Sequence, residues 1–103
     1  MEHLTAQDFE EKVMNANTPV VLDFYADWCG PCRRLGPIFE ELSSEMDDVA
    51  FYKVDVENAS DLAAQFGVQS IPTIIMFNKG DMVERVMGLM PKEALADMIK
   101  KHA

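Results

Sequence analysis

The apolar positions change their spacing several times along the chain, and each change marks an element. Thr5-Ala6-Gln7-Asp8 has the form of a capping box and predicts a helix through about Ala16, with Phe9, Val13 and Met14 as its buried stripe. Asn17-Thr18-Pro19 reads as a turn. The near-continuous apolar run Val20–Tyr25 is the pattern of a central strand covered on both faces. Leu35, Ile38, Phe39 and Leu42 then recur at helical spacing, with Pro37 expected to kink that helix. Val49 to Val56 reads as a strand, and Ser60 to Phe66 as a short helix closed by Gly67. Thr73–Phe77 is strongly β-prone, and Asn78-Lys79-Gly80-Asp81 predicts a hairpin returning through Met82 to Met87. Pro91 opens a last helix with Leu95, Met98 and Ile99 on one face and Lys100 and Lys101 at its C-terminal end. With a short strand before the first helix the order is β-α-β-α-β-α-β-β-α. It predicts an α/β fold, a mixed sheet with helices on both faces.

Composition narrows the functional classes. The 103 residues fit a single domain, 1–103, with a hydrophobic core that needs no metal or disulfide support. No apolar run approaches the roughly 20 residues that span a bilayer, and Met1-Glu2-His3-Leu4-Thr5 lacks the basic and apolar regions of an export signal. The expectation is a soluble, cytoplasmic protein. The net charge of −9 repels phosphate backbones and anionic lipid, which argues against nucleic-acid and membrane partners. Between Arg34 and Arg85 only Lys53 and Lys79 are basic, against a run of acids from Glu40 to Asp81. That run reads as a solvated face, or more sharply as a selector of basic partner surfaces.

The chemistry concentrates in Cys29-Gly30-Pro31-Cys32, which holds the only 2 cysteines of the chain. The strand before it and the helix after it place Cys29 at an exposed helix start. Unpaired N–H groups and the positive end of the macrodipole stabilise a thiolate there. Pro31 suits the first helical turn. The spacing alone would also serve half a zinc site, but only His3 and His102 remain as further ligands, one near each terminus. A purely structural disulfide would close too small a loop to constrain the unfolded chain much. Two thiols this close suit exchange, one attacking and the other resolving. No cofactor is required.

At these residues the chain resembles the thioredoxin family. Trp28-Cys29-Gly30-Pro31-Cys32 matches the family's WCGPC motif without a gap, Asp23 falls at the position of its buried carboxylate, and Ser70-Ile71-Pro72-Thr73 matches the segment bearing its cis-proline. Lys53 and Gly88 also occupy family positions, and the resemblance covers essentially the whole chain. It implies the thioredoxin fold, a central mixed sheet of four to five strands flanked by about four helices, with the first strand short. It further implies a protein-disulfide reductase, acting as a monomer, that is re-reduced by a thioredoxin reductase. Arg33 replaces the usual lysine after the second cysteine and keeps its charge; Tyr25 stands where Trp or Phe is common.

The apolar neighbours of Asp23 argue that it is buried, where an unpaired carboxyl raises its pKa. The resemblance makes it the proton relay to Cys32, with Lys53 modulating its titration. It also makes Ile71–Pro72 a cis bond beside the cysteines, exposing backbone at Ile71 for strand addition by a substrate. Trp28, Gly30, Pro31, Ile71, Pro72 and Gly88 then form a shallow substrate groove. Met87 and Met90 flank Gly88, although core filling is the commoner use of methionine. Cys29 attacks a substrate disulfide as thiolate, and Cys32 resolves the mixed disulfide. Two other readings remain open: an oxidant or isomerase on the same fold, and a binding subunit whose cysteines are idle.

Overall fold

A computed structural model describes the whole chain, Met1–Ala103. Strand β1 (Val20–Tyr25) is buried at every position, as its continuous apolar run demands. It lies inside a four-stranded sheet of order β2-β1-β3-β4. β2 (Ala50–Asp55) runs parallel to it and β3 (Thr73–Asn78) antiparallel, with β4 (Asp81–Met87) antiparallel to β3 at the edge. Helix α2 (Gly30–Glu45) joins β1 to β2, α3 (Ser60–Gln65) precedes β3, and α4 (Lys92–His102) follows β4. No helix is long and apolar enough to cross a membrane.

The alternation of side chains along β1 divides the core in two. Val20, Leu22 and Phe24 pack with Phe9, Val13, Leu62 and Ala63, so the N-terminal helix and α3 cover one face. Val21 packs with Leu35, Phe39, Leu42, Leu95 and Ile99, so α2 and α4 cover the other. Each fully buried side chain of this size contributes about 1.5–3 kcal/mol. At the β3–β4 turn Lys79 and Gly80 have φ of 53° and 83°, the paired positive values that suit a tight hairpin. A Cβ at Gly80 would stand 3.0 Å from the Met14 carbonyl oxygen, so position 80 disfavours a side chain by contact as well as by φ.

Three expectations need correction. The first helix is not a single α-helix to Ala16: α1 (Ala6–Phe9) passes into a π-helical stretch, Glu10–Met14, closed by Asn15 N–H donating to the Glu10 carbonyl at 2.9 Å. The Thr5 hydroxyl bonds the Asp8 carboxylate at 3.0 Å instead of capping a backbone N–H. The wider turn carries Met14 off the buried stripe, and it is 41% exposed. The first strand shrinks to an isolated bridge between His3 and Lys53, because the chain enters α1 within three residues. Pro37 lies inside α2, where the apolar spacing predicted it, on an exposed position, and the helix continues to Glu45. Pro91 caps α4 from outside, with Lys92 the first helical residue.

Candidate active site

All the chemistry sits at one end of the sheet. β1 ends there into Cys29, β2 ends into Asp55 and Glu57, β3 begins there after Pro72, and β4 ends into Gly88. Cys29 is the N-cap residue of α2, in extended conformation, with Pro31 in the first turn. Cys29 and Cys32 are disulfide-bonded, so the structure is the oxidised form. The Cys32 N–H points at Cys29 Sγ from 3.2 Å. In the reduced form that donor, together with the helix dipole, would act on the Cys29 thiolate and lower its pKa. The expectation of an exposed Cys29 is corrected: it is only 6% exposed against 3% for Cys32. Ile71 packs against the cysteine pair, and Cys29 N–H bonds the Ala26 carbonyl at 3.2 Å.

Asp23 is fully buried on the β1 face that α2 covers, and no protein group hydrogen-bonds either carboxyl oxygen. Burial pushes its pKa up to about 7, against the opposing pull of the Lys53 ammonium. Lys53 is its register partner on β2. The Lys53 ammonium also lies 4.3 Å from the centroid of the Tyr25 ring, an attraction between a cation and a π face. Between Lys53 and α2 runs a cleft of about 200 Å³ whose walls include Cys32, Tyr25, Gly36 and Lys53. Gly36 helps keep it open, since a Cβ there would touch Lys53 Nζ at 3.6 Å. The carboxyl, the ammonium and the second cysteine thus share one face of the sheet.

The Ile71–Pro72 bond is cis. The Ile71 carbonyl oxygen stands 3.8 Å from Cys29 Sγ, and neither its N–H nor its C=O enters a backbone hydrogen bond. Thr73 Oγ1 donates to the Ser70 carbonyl at 2.6 Å and Gly88 N–H to the Pro72 carbonyl at 2.8 Å, which fixes the segment from both sides. Gly88 has φ of 94°, a value that favours glycine. Gly30 is half-buried and Pro31 exposed at the start of α2. Trp28 is 66% exposed, and its indole N–H donates to Glu57 Oε2 at 2.9 Å. Asp55 in turn accepts from Glu57 N–H at 2.9 Å.

The residues predicted from sequence therefore come together at one end. Two others belong with them and were not singled out for it, and a third, Met87, is corrected from core filler to surface. Glu57 counted only as part of an acidic surface, and nothing local marks it as the indole's partner. His3 Nδ1 lies 3.1 Å from the Tyr25 hydroxyl, a pairing that depends on the His3–Lys53 bridge. Met87 is 65% exposed, with Ser70 Oγ donating to its thioether at 3.1 Å.

The family model for thioredoxin matches residues 1–101. A thioredoxin of Chlamydia muridarum is 43% identical over 103 residues, covering 99% of each chain. One of Mycoplasmoides gallisepticum is 42% identical over 100 residues, covering 97% of this chain and all of its own. Among solved structures, a mutant thioredoxin from Halobacterium salinarum superposes with a TM-score of 0.89 at 40% identity, over 97% of this chain and 88% of its own.

Proposed function

The chain belongs to the thioredoxin family and is a dithiol–disulfide oxidoreductase that reduces protein disulfides, and from that premise we propose how its residues divide the work. Cys29 is the nucleophile. Its thiolate attacks one sulfur of a substrate disulfide, forms a mixed disulfide, and releases the other substrate sulfur as thiolate. Cys32 resolves: its thiolate attacks Cys29 Sγ, closes the Cys29–Cys32 bond, and releases the second substrate sulfur. Two electrons pass from the protein dithiol to the substrate.

Asp23 accepts the Cys32 proton across the Lys53 cleft. A carboxyl with a pKa of about 7 is matched to that transfer near neutrality, and Lys53 keeps it from rising further. The free N–H and C=O of Ile71 support strand addition by an extended substrate next to Cys29. Trp28, Pro72 and Gly88, with Gly30 and Pro31, flank that strand. A thioredoxin reductase returns the electrons, in a reducing compartment such as the cytoplasm. The surface charge of −9 supports a monomer through self-repulsion.

The observation that carries the assignment of roles is the burial of an unpartnered Asp23 on the face shared with Cys32. Its test is trapping. Cys32→Ser should accumulate mixed disulfides with substrates on non-reducing gels of cell extract, and Cys29→Ser should accumulate none. The opposite pattern would exchange the two cysteines' roles, and no complex in either variant would remove the two-step mechanism.

A further inference from the structure

Beside the disulfide, on the far side from Trp28, lies a groove of about 470 Å³ lined by Arg34, Ile38, Leu89, Met90 and Pro91. Its residues adjoin the site along the chain: Ile71 meets Cys29, Pro72 follows Ile71, and Gly88, immediately before Leu89, bonds the Pro72 carbonyl. Its walls are apolar except for one guanidinium. Arg34 is exposed and makes neither an ion pair nor a side-chain hydrogen bond. Arg33, Lys53, Lys79, Lys100 and Lys101 are likewise without an ion pair or side-chain hydrogen bond, and of these unpaired cations only Arg34 lines the groove. Nearby Lys92 is held by Glu41 and Glu45, Lys12 is held by Glu2, and Arg85 bonds the carbonyls of Phe66 and Gly67. Arg34 also gains nothing from its own helix, since the N-terminal part of α2 favours anions over cations. The opposite flank of the site carries Asp27, Asp55 and Glu57 beside Arg33 and Lys53, so acids and bases mix there.

We propose that this groove is a substrate subsite for an acidic side chain next to an apolar one, with Arg34 as the group that reads the carboxylate; this rests on the reductase reading above. A guanidinium offers a carboxylate two parallel donors, and the Leu89–Met90 wall takes the apolar neighbour. The sheet sets the spacing. From the end of β1 to the end of β4 is two strand intervals, about 10 Å, which an extended chain covers in about three residues. The occupant is a substrate segment with Asp or Glu about three residues from the cysteine under attack.

The test compares two peptides, each a cysteine in mixed disulfide with mercaptoethanol, with Leu beside either Glu or Lys three residues away. The charge is placed on each side of the cysteine in turn. The field of a chain carrying −9 favours the Lys peptide, so a preference for Glu needs a local cation. At low salt the reduced protein should reduce the better-placed Glu peptide about two- to fivefold faster, the size of one or two exposed charge pairs. The preference should fade at about 0.5 M salt. Arg34→Gln should turn it to favour Lys, whereas Arg33→Gln, on the cleft side of the helix, should keep it. Equal rates in the natural chain, or a Glu preference that survives Arg34→Gln or is lost equally with Arg33→Gln, would overturn the subsite while leaving the reductase intact. Failure to reduce either peptide would overturn the reductase reading itself. A dimer in sedimentation that Arg34→Glu dissolves would assign the groove to a second copy of the chain instead.

Discussion

The burial of Asp23 makes a quantitative prediction about stability. Its pKa rises from 3.8 in the unfolded chain to about 7 in the fold, chiefly by desolvation. A raised carboxyl pKa means that the folded state holds its proton more tightly than the unfolded state does. Stability is therefore greatest below the unfolded pKa, is lost as pH rises between the two values, and is lost no further above about pH 7. With the two pKa values 3.8 and about 7, linkage gives a loss of about 0.5 kcal/mol at pH 4 and about 4 kcal/mol at pH 7. In between, the slope is about 1.4 kcal/mol per pH unit.

Asp23→Asn removes the titration and keeps the shape. Urea unfolding of both oxidised proteins from about pH 4 to pH 8 yields the difference in unfolding free energy at each pH. An Asn amide in the same dry site has its own unsatisfied donors, which add a constant offset. The prediction therefore lies in the slope: relative to the natural chain, the Asp23→Asn variant should gain about 3–4 kcal/mol across that interval. A difference that stays level within about 0.5 kcal/mol would show that Asp23 titrates alike in both states, and the proton relay would lose its physical basis. Titrations common to both proteins cancel in the difference.

Two further outcomes test neighbouring parts of the site. Lys53→Met removes the one charge that opposes desolvation, so the Asp23 titration followed by carboxyl NMR should move above about 7, and the resolving step should slow at neutral pH; a downward or absent shift would mean that Lys53 points elsewhere in solution. Gly88→Ala meets no neighbouring atom but must hold a side chain at φ 94°, so it should lower stability by about 1–2 kcal/mol in urea unfolding and raise the KM for protein disulfides, and an unchanged unfolding midpoint would refute the strain.

What the sequence revealed depended on whether the deciding physics was local. β1 was legible because a strand buried on both faces is apolar nearly throughout, with Asp23 its one polar residue, and the hairpin because Lys79-Gly80 must accept two positive φ values. The N-terminal helix misled because Thr5 and Asp8 can satisfy each other's side chains as readily as the backbone, and a π turn leaves no mark in the hydrophobic spacing. At the site, the motif identified Cys29, Cys32 and the cis bond, while the apolar neighbours of Asp23 foretold its burial. The indole bond from Trp28 to Glu57 joins residues from the ends of two different strands. Only the parallel register of β1 on β2 brings those ends together, as it does Asp23 and Lys53.

The site is also where the local rules of a stable fold are broken most often. A carboxyl is buried without a partner, an indole stands two-thirds exposed, Ile71 leaves its backbone unpaired, and Arg34 goes without a counter-ion amid an excess of acids. Each of these lowers stability or leaves it unimproved, and all lie at the one end of the sheet where β1, β2 and β4 terminate. The other end keeps closer to ordinary rules where the Asn78 side chain bonds the His102 carbonyl at 2.9 Å, although its hairpin holds Lys79 at a positive φ. Packed helices on both faces of β1 supply the rigidity that lets one end depart from them. Such departures mark function when they converge on one set of reacting atoms. Arg34 lies close to that convergence, lining the groove whose Leu89 follows Gly88, and this is the reason to read it as part of substrate recognition rather than as a stray surface charge.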